Sequence, residues 1–206
     1  MKNFPSYLSI GLFAALFSIS CGSNSSTDST QAAKDSNATK MDSTGTDTAG
    51  AGKMATIPPT VSQADQKFAV DVANAGMTEI QAAKLAQQQG TDADVKKYAD
   101  LMIKDHTAAA DQLKAIAAKK NLTLPADISP DMQQNIADLQ KKSGKTFDKA
   151  YMKMMVDDHK KVISAFENES KNGSDADIRA FADNTLHTLH HHLDEAQKCE
   201  KMMSKM

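Results

Sequence analysis

Apolar residues recur every three or four positions along four long segments, the spacing that lines one face of an α-helix. The first run is Phe68, Val72, Ala75, Glu79, Ala82, Ala86, and the second Val95, Ala99, Met102, His106, Ala109, Leu113, Ile116. The third is Met152, Met155, His159, Val162, Phe166, and the fourth Ile178, Ala182, Thr185, Leu189, His192, Ala196, Cys199. Near the middle of each run an ionisable side chain takes a core-facing place: Glu79, His106, His159 and His192. Such a group is costly inside an apolar interior unless it is paired or bound to something. One per helix points to a shared polar site.

Ser62 with Asp65, Thr91 with Asp94, and Ser174 with Asp177 resemble capping boxes in which Asp replaces the usual Glu. Gly90 and Gly173 read as helix stops. The pattern predicts helices over 62–89, 92–119, 146–171 and 175–203, and no segment alternates with period two. The class is all-α. Short turns join the first two helices and the last two, so each pair folds back as an antiparallel hairpin. The longer link, 121–145, carries Leu122-Thr123-Leu124-Pro125 and then a short helix after Ser129-Pro130, with Met132, Ile136 and Leu139 on one side. Extended chain plus three helical turns cover roughly 40 Å. That is enough to run the length of a bundle and leave the second and third helices parallel; an antiparallel return stays open.

The two hairpins resemble each other: Thr91–Asp100 lines up with Ser174–Asp183. Counted from the turn residues Asp92 and Asp175, Glu79 lies thirteen before and His106 fourteen after, His159 sixteen before and His192 seventeen after. Equal distance from a turn means equal height, so Glu79 should face His106 and His159 should face His192.

The ends differ from this pattern. Lys2 precedes an apolar stretch, Tyr7 to Ile19, the length of a signal-peptide core and too short to span a bilayer. It ends in Ser18-Ile19-Ser20-Cys21-Gly22, which resembles a bacterial lipoprotein signal, with Ser18 where Leu is usual. Residues 1–20 are therefore expected to be a signal peptide and Cys21 the lipidated residue, anchoring the chain to a membrane of the cell envelope. Gly22 is not the aspartate that retains lipoproteins at an inner membrane, which favours the outer membrane. Residues 21–60, rich in Ser, Thr, Asp, Ala and Gly, lack the apolar surface to offset ordering entropy and read as a flexible tether. Residues 61–206 form one domain. With Cys21 lipidated, Cys199 has no partner for a disulfide. A net charge of −2 with interspersed signs argues against a nucleic-acid partner.

The elements Phe68–Glu79, Val95–His106 with Tyr98, Met102 and Asp105-His106, Phe147-Asp148, Tyr151-Met152, Asp158-His159 and His192-Leu193 resemble a bacterial family of unknown function, often labelled as outer-membrane proteins. The resemblance covers about Ser62 to Met203. It implies a ferritin-like four-helix bundle in an exported protein and no established activity. Ferritin-type di-metal sites use Glu-x-x-His pairs. Here Ile103, Val156 and Leu189 stand three before His106, His159 and His192, so di-iron chemistry is not carried over.

One Glu and three His suit a single transition ion such as Zn, Cu or Fe. The plainer reading is a self-satisfied polar network that fixes helix register. Asp105 and Asp158 point away from the seam and suit outer partners or surface ion pairs. His187, His191 and Glu195, spaced by four, form a second, surface metal candidate, with His190 and Met202, Met203 and Met206 nearby. Met152, Met154 and Met155 coincide with the seam and read as core filler. No nucleophile elbow or glycine-rich phosphate loop is present, which leaves catalysis without a carrier. The expectation is a lipid-anchored envelope protein, binding or structural rather than catalytic; the alternative is a metal-binding or metal-buffering envelope protein.

Overall fold

The computed structural model describes residues 28–42 and 61–204. It comprises α1 (Ser29–Asp42), α2 (Gln63–Gln89), α3 (Ala93–Lys119), α4 (Pro130–Gln140), α5 (Gly144–Asn172) and α6 (Ala176–Met203). No strand occurs among the described residues. The signal segment and Cys21 lie outside them.

Helix α2 packs on α3 and α5, and α6 packs on the same two, so each long helix adjoins two of the other three. The direction of the long link is fixed by two buried carboxylates. Asp148, near the start of α5, accepts from Thr91 N, Thr91 Oγ1 and Asp92 N at the start of α3. Asp65, in the first turn of α2, accepts from Ser174 N and Asp175 N at the start of α6. The starts of α3 and α5 therefore share one end of the domain, and the two helices run parallel. The starts of α2 and α6 share the other end.

These bonds revise the capping assignment. Ser62 does cap α2, its side chain accepting from Asp65 N. The caps of α3 and α6, however, are Asp92 and Asp175 rather than Thr91 and Ser174. The Asp65 carboxylate does not return to its own helix; it closes the N-terminus of the diagonally opposite α6, where orphan N–H groups and the helix dipole favour negative charge.

Gly90 and Gly173 stop α2 and α5 in extended rather than left-handed conformation. A side chain is excluded by proximity: a Cβ at Gly173 would lie 2.3 Å from Glu169 Oε1 and 2.7 Å from Glu169 O. The left-handed stop occurs instead at Asn121, with φ 54°. There Leu122 N donates to Ala117 O at 2.8 Å, the long-range bond of a Schellman motif.

The stretch read as a tether is corrected over fourteen residues, because Ser29–Asp42 is helical. Its docking is polar. Asn37 donates through Nδ2 to Thr123 O at 2.9 Å and accepts from Thr123 N at 2.7 Å. Ser29 Oγ accepts from Ala126 N and Asp127 N, and Lys34 pairs with Asp71 at 2.8 Å. An apolar count misses such contacts, since Ala33 is the buried apolar residue of α1. Residues 43–60 lie outside the described residues.

The interior divides into two apolar clusters. One holds Val95, Tyr98, Met102, Phe147, Tyr151, Met152, Met155 and Cys199. The other holds Phe68, Leu113, Ile163, Phe166, Ile178, Phe181 and Leu189. Along every long helix the ionisable seam residue falls between its contributions to the two clusters: Glu79 between Ala69 and Ala82, His106 between Met102 and Leu113, His159 between Val156 and Ile163, His192 between Leu189 and Ala196. The four side chains thus form a polar layer across the middle of an apolar core.

Candidate metal centre

Glu79, His106, His159 and His192 are all buried, the last two without any exposed surface. His106 Nδ1 lies 3.2 Å from Glu79 Oε2. His159 Nδ1 lies 2.9 Å from Met155 O, one turn back on its own helix, and 3.4 Å from Glu79 Oε1. His192 Nε2 lies 3.1 Å from Asp105 Oδ2. Within the second hairpin, α5 and α6, His159 Nε2 and His192 Nδ1 stand 3.4 Å apart. One ring nitrogen from each of the three histidines lies within 4.8 Å of the others.

The acceptors around each ring assign its proton. His159 Nδ1 faces two oxygens, so it carries the hydrogen and donates to Met155 O. His192 Nε2 faces a carboxylate and donates to Asp105. The remaining nitrogens of that pair, His159 Nε2 and His192 Nδ1, are then both lone pairs, and they face each other. The opposite tautomer of His192 would set its lone pair against the Asp105 carboxylate instead. With the Asp105 carboxylate as acceptor, no neutral tautomer of His192 satisfies both ends. In His106, Nδ1 donates to Glu79, and the buried Nε2 has no partner.

A doubly protonated His192 would donate at both ends, but burial opposes that charge. Burial pushes His159 down to about 4, and the neighbouring His192 adds to the effect. Burial, then His192 and His159, hold His106 well below the usual imidazole range. His192 is lowered by burial, against the opposing pull of Asp105. Glu79 is raised to about 8 by burial and by the charge of Asp158. The layer is short of positive charge and rich in neutral imidazole, the protonation state a metal requires.

The His159–His192 distance suits an ion, and His106, within 4.8 Å, has to draw in to join it. Two nitrogens each about 2.0–2.1 Å from a tetrahedral centre stand about 3.3–3.4 Å apart, and the His159–His192 separation has that value. Each imidazole already has its other nitrogen held by an oxygen, from Glu79, Met155 or Asp105, the outer support that metal-ligating histidines use. In this arrangement Glu79 is a supporting residue rather than a fourth donor.

The second candidate is not assembled. His187 and His191 are exposed, and Glu195 is paired with Lys198 at 2.7 Å. Eight residues of helix rise about 12 Å, so His187 and Glu195 do not share an ion; His190 lies 4.0 Å from Glu167. Asp158 lies at the periphery, 3.8 Å from Lys161. Met152 and Met155 are buried in the core, and Cys199 is a buried free thiol pushed up to about 11 by burial, far from a reactive thiolate. The sequence reading had no signal for the Met155 carbonyl, because any helix residue offers one. Gly76 was a readable signal, a glycine within a helix: a Cβ there would meet His106 Nδ1 at 3.9 Å.

The profile of the family described as "Domain of unknown function (DUF4142)" matches residues 50–199. The chain belongs to this family. Among solved structures, the DUF4142 chain is similar to a DUF305 fragment from Deinococcus radiodurans, with a TM-score of 0.61 at 11% identity. The match covers 72% of this chain and 100% of that one. At that identity the likeness concerns the fold alone, a helical domain of ferritin-like type. No curated protein matches the chain.

Proposed function

We propose that this DUF4142 protein is an envelope protein, lipid-anchored through Cys21, whose four long helices form a ferritin-like bundle binding one divalent transition ion through His106, His159 and His192. The observation that carries the reading is the 3.4 Å approach of His159 Nε2 and His192 Nδ1, two atoms that the proton assignment above leaves as facing lone pairs. An ion between them turns a repulsive contact into two ligand bonds. The unpartnered His106 Nε2 supplies the third. A layer kept only for register would be expected to satisfy its own hydrogen bonds, and this one does not.

The donor set of neutral imidazoles suits Zn(II), Cu(II) or Co(II). Three protein ligands leave the fourth position to a non-protein group, as in sites where an ion meets an exchangeable partner. No helix among the described residues is long and apolar enough to cross a membrane, so the proposed attachment is the lipid. Metal-free protein should take up about one equivalent of Zn(II), the stoichiometry of a single tetrahedral site. His106→Ala and His159→Ala should abolish uptake, while His187→Ala with His191→Ala should leave it unchanged. Uptake that survives loss of a core histidine would overturn the reading.

A further inference from the structure

A cavity of about 80 Å³ opens onto the polar layer from the side of α2 and α3. Its floor includes Glu79 and His106, whereas His159 and His192 do not line it. It exists because the facing residues of those helices are small: Ala73 and Gly76 on α2, Ala109 and Ala110 on α3. Leu124 and Pro125 of the crossover contribute to its wall. Lys114 stands at the rim, its side chain 70% exposed and 3.5 Å from Asp111. Two polar atoms of the floor residues are buried without a hydrogen-bond partner: Glu79 Oε1 and His106 Nε2.

We infer that this cavity admits a small uncharged ligand, with one donor nitrogen or oxygen and an apolar remainder, to the open coordination position of the ion. This rests on the metal reading above. An apolar remainder is favoured because the walls are almost entirely hydrocarbon. An anion is disfavoured because it sheds its hydration among those walls, where Lys114 reaches only the rim and is paired with Asp111, and meets a carboxyl group at the floor. The size limit follows from comparison with an engineered cavity of about 150 Å³ that holds benzene. A ligand here is of ring size at most, with part of it toward the rim.

The test uses Co(II)-loaded full-length protein, in which a tetrahedral imidazole site has visible absorption. Pyrazole, neutral at neutral pH, should shift those bands saturably, and azide should do so far more weakly. Gly76→Leu fills the space beside His106; it should keep Co(II) uptake and weaken the pyrazole response about tenfold or more, as bulk displaces the ring. Ala109→Leu attacks the same space from α3 and serves if Gly76→Leu does not fold. Co(II) bands that ignore pyrazole, or that respond to azide equally, would overturn this inference while leaving the metal reading in place. Absence of the bands in the parent protein would remove both.

Discussion

His192 and Asp105 face each other at 3.1 Å, the ring nitrogen of one helix against a carboxylate carried by the neighbouring helix beside His106. Asp105 thereby decides which nitrogen of His192 is free for an ion, and it does so from outside the polar layer, with its side chain 23% exposed.

Asp105→Asn removes the charge that holds the His192 proton on Nε2 and offers an amide donor in its place. Metal affinity should fall by about 10- to 100-fold, the usual cost of losing an outer partner, with stoichiometry unchanged. Competition with a chromophoric chelator measures this. An unchanged affinity would remove Asp105 from the account.

The crossed caps are a second test. Asp148→Ala strips the acceptor from Thr91 N, Thr91 Oγ1 and Asp92 N, and Asp65→Ala strips it from Ser174 N and Asp175 N. Each should cost about 1–3 kcal/mol in denaturant unfolding, the range for buried donors left unsatisfied. Costs near zero would mean that water replaces these carboxylates and that the parallel run of α3 and α5 is held by the apolar clusters alone.

Glu169 supplies a pH signature away from the metal layer. It is buried near Asp65 and raised from 4.5 to about 7, first by burial and then by the charge of Asp65, with Arg179 opposing. An acid whose folded pKa is raised binds its proton more tightly when folded, so its stabilising contribution is full below the unfolded value. That contribution is lost as pH climbs from 4.5 through about 7. Glu169→Gln should match the parent in melting temperature at acid pH and exceed it above neutrality. A gap that does not widen with pH would contradict the assignment.

The seam periodicity locates the four core residues, because burial of a helix face leaves its imprint every three or four positions, and counting from the turns gives their heights. Glu79 against His106 and His159 against His192 needed nothing beyond counting from the turns. What the sequence concealed were contacts with no period. Asp65 and Asp148 look like ordinary carboxylates near a helix start, and only the packing shows that each closes the diagonally opposite helix. Helix α1 escaped for a related reason: Asn37 docks by hydrogen bonds to Thr123, and a search for apolar surface passes over it. The division of the layer into donors and supports depended on which nitrogen faces which oxygen, and spacing carries no such information.

The central claim is that His106, His159 and His192 hold one ion between them, and an anomalous-diffraction map of Zn(II)-loaded crystals tests it most directly. The account predicts one strong peak in the bundle interior, about 2.0–2.1 Å from a single nitrogen of each ring. It further predicts that those nitrogens are His106 Nε2, His159 Nε2 and His192 Nδ1. An empty interior, with zinc found only on the exposed His187 and His191, would contradict it.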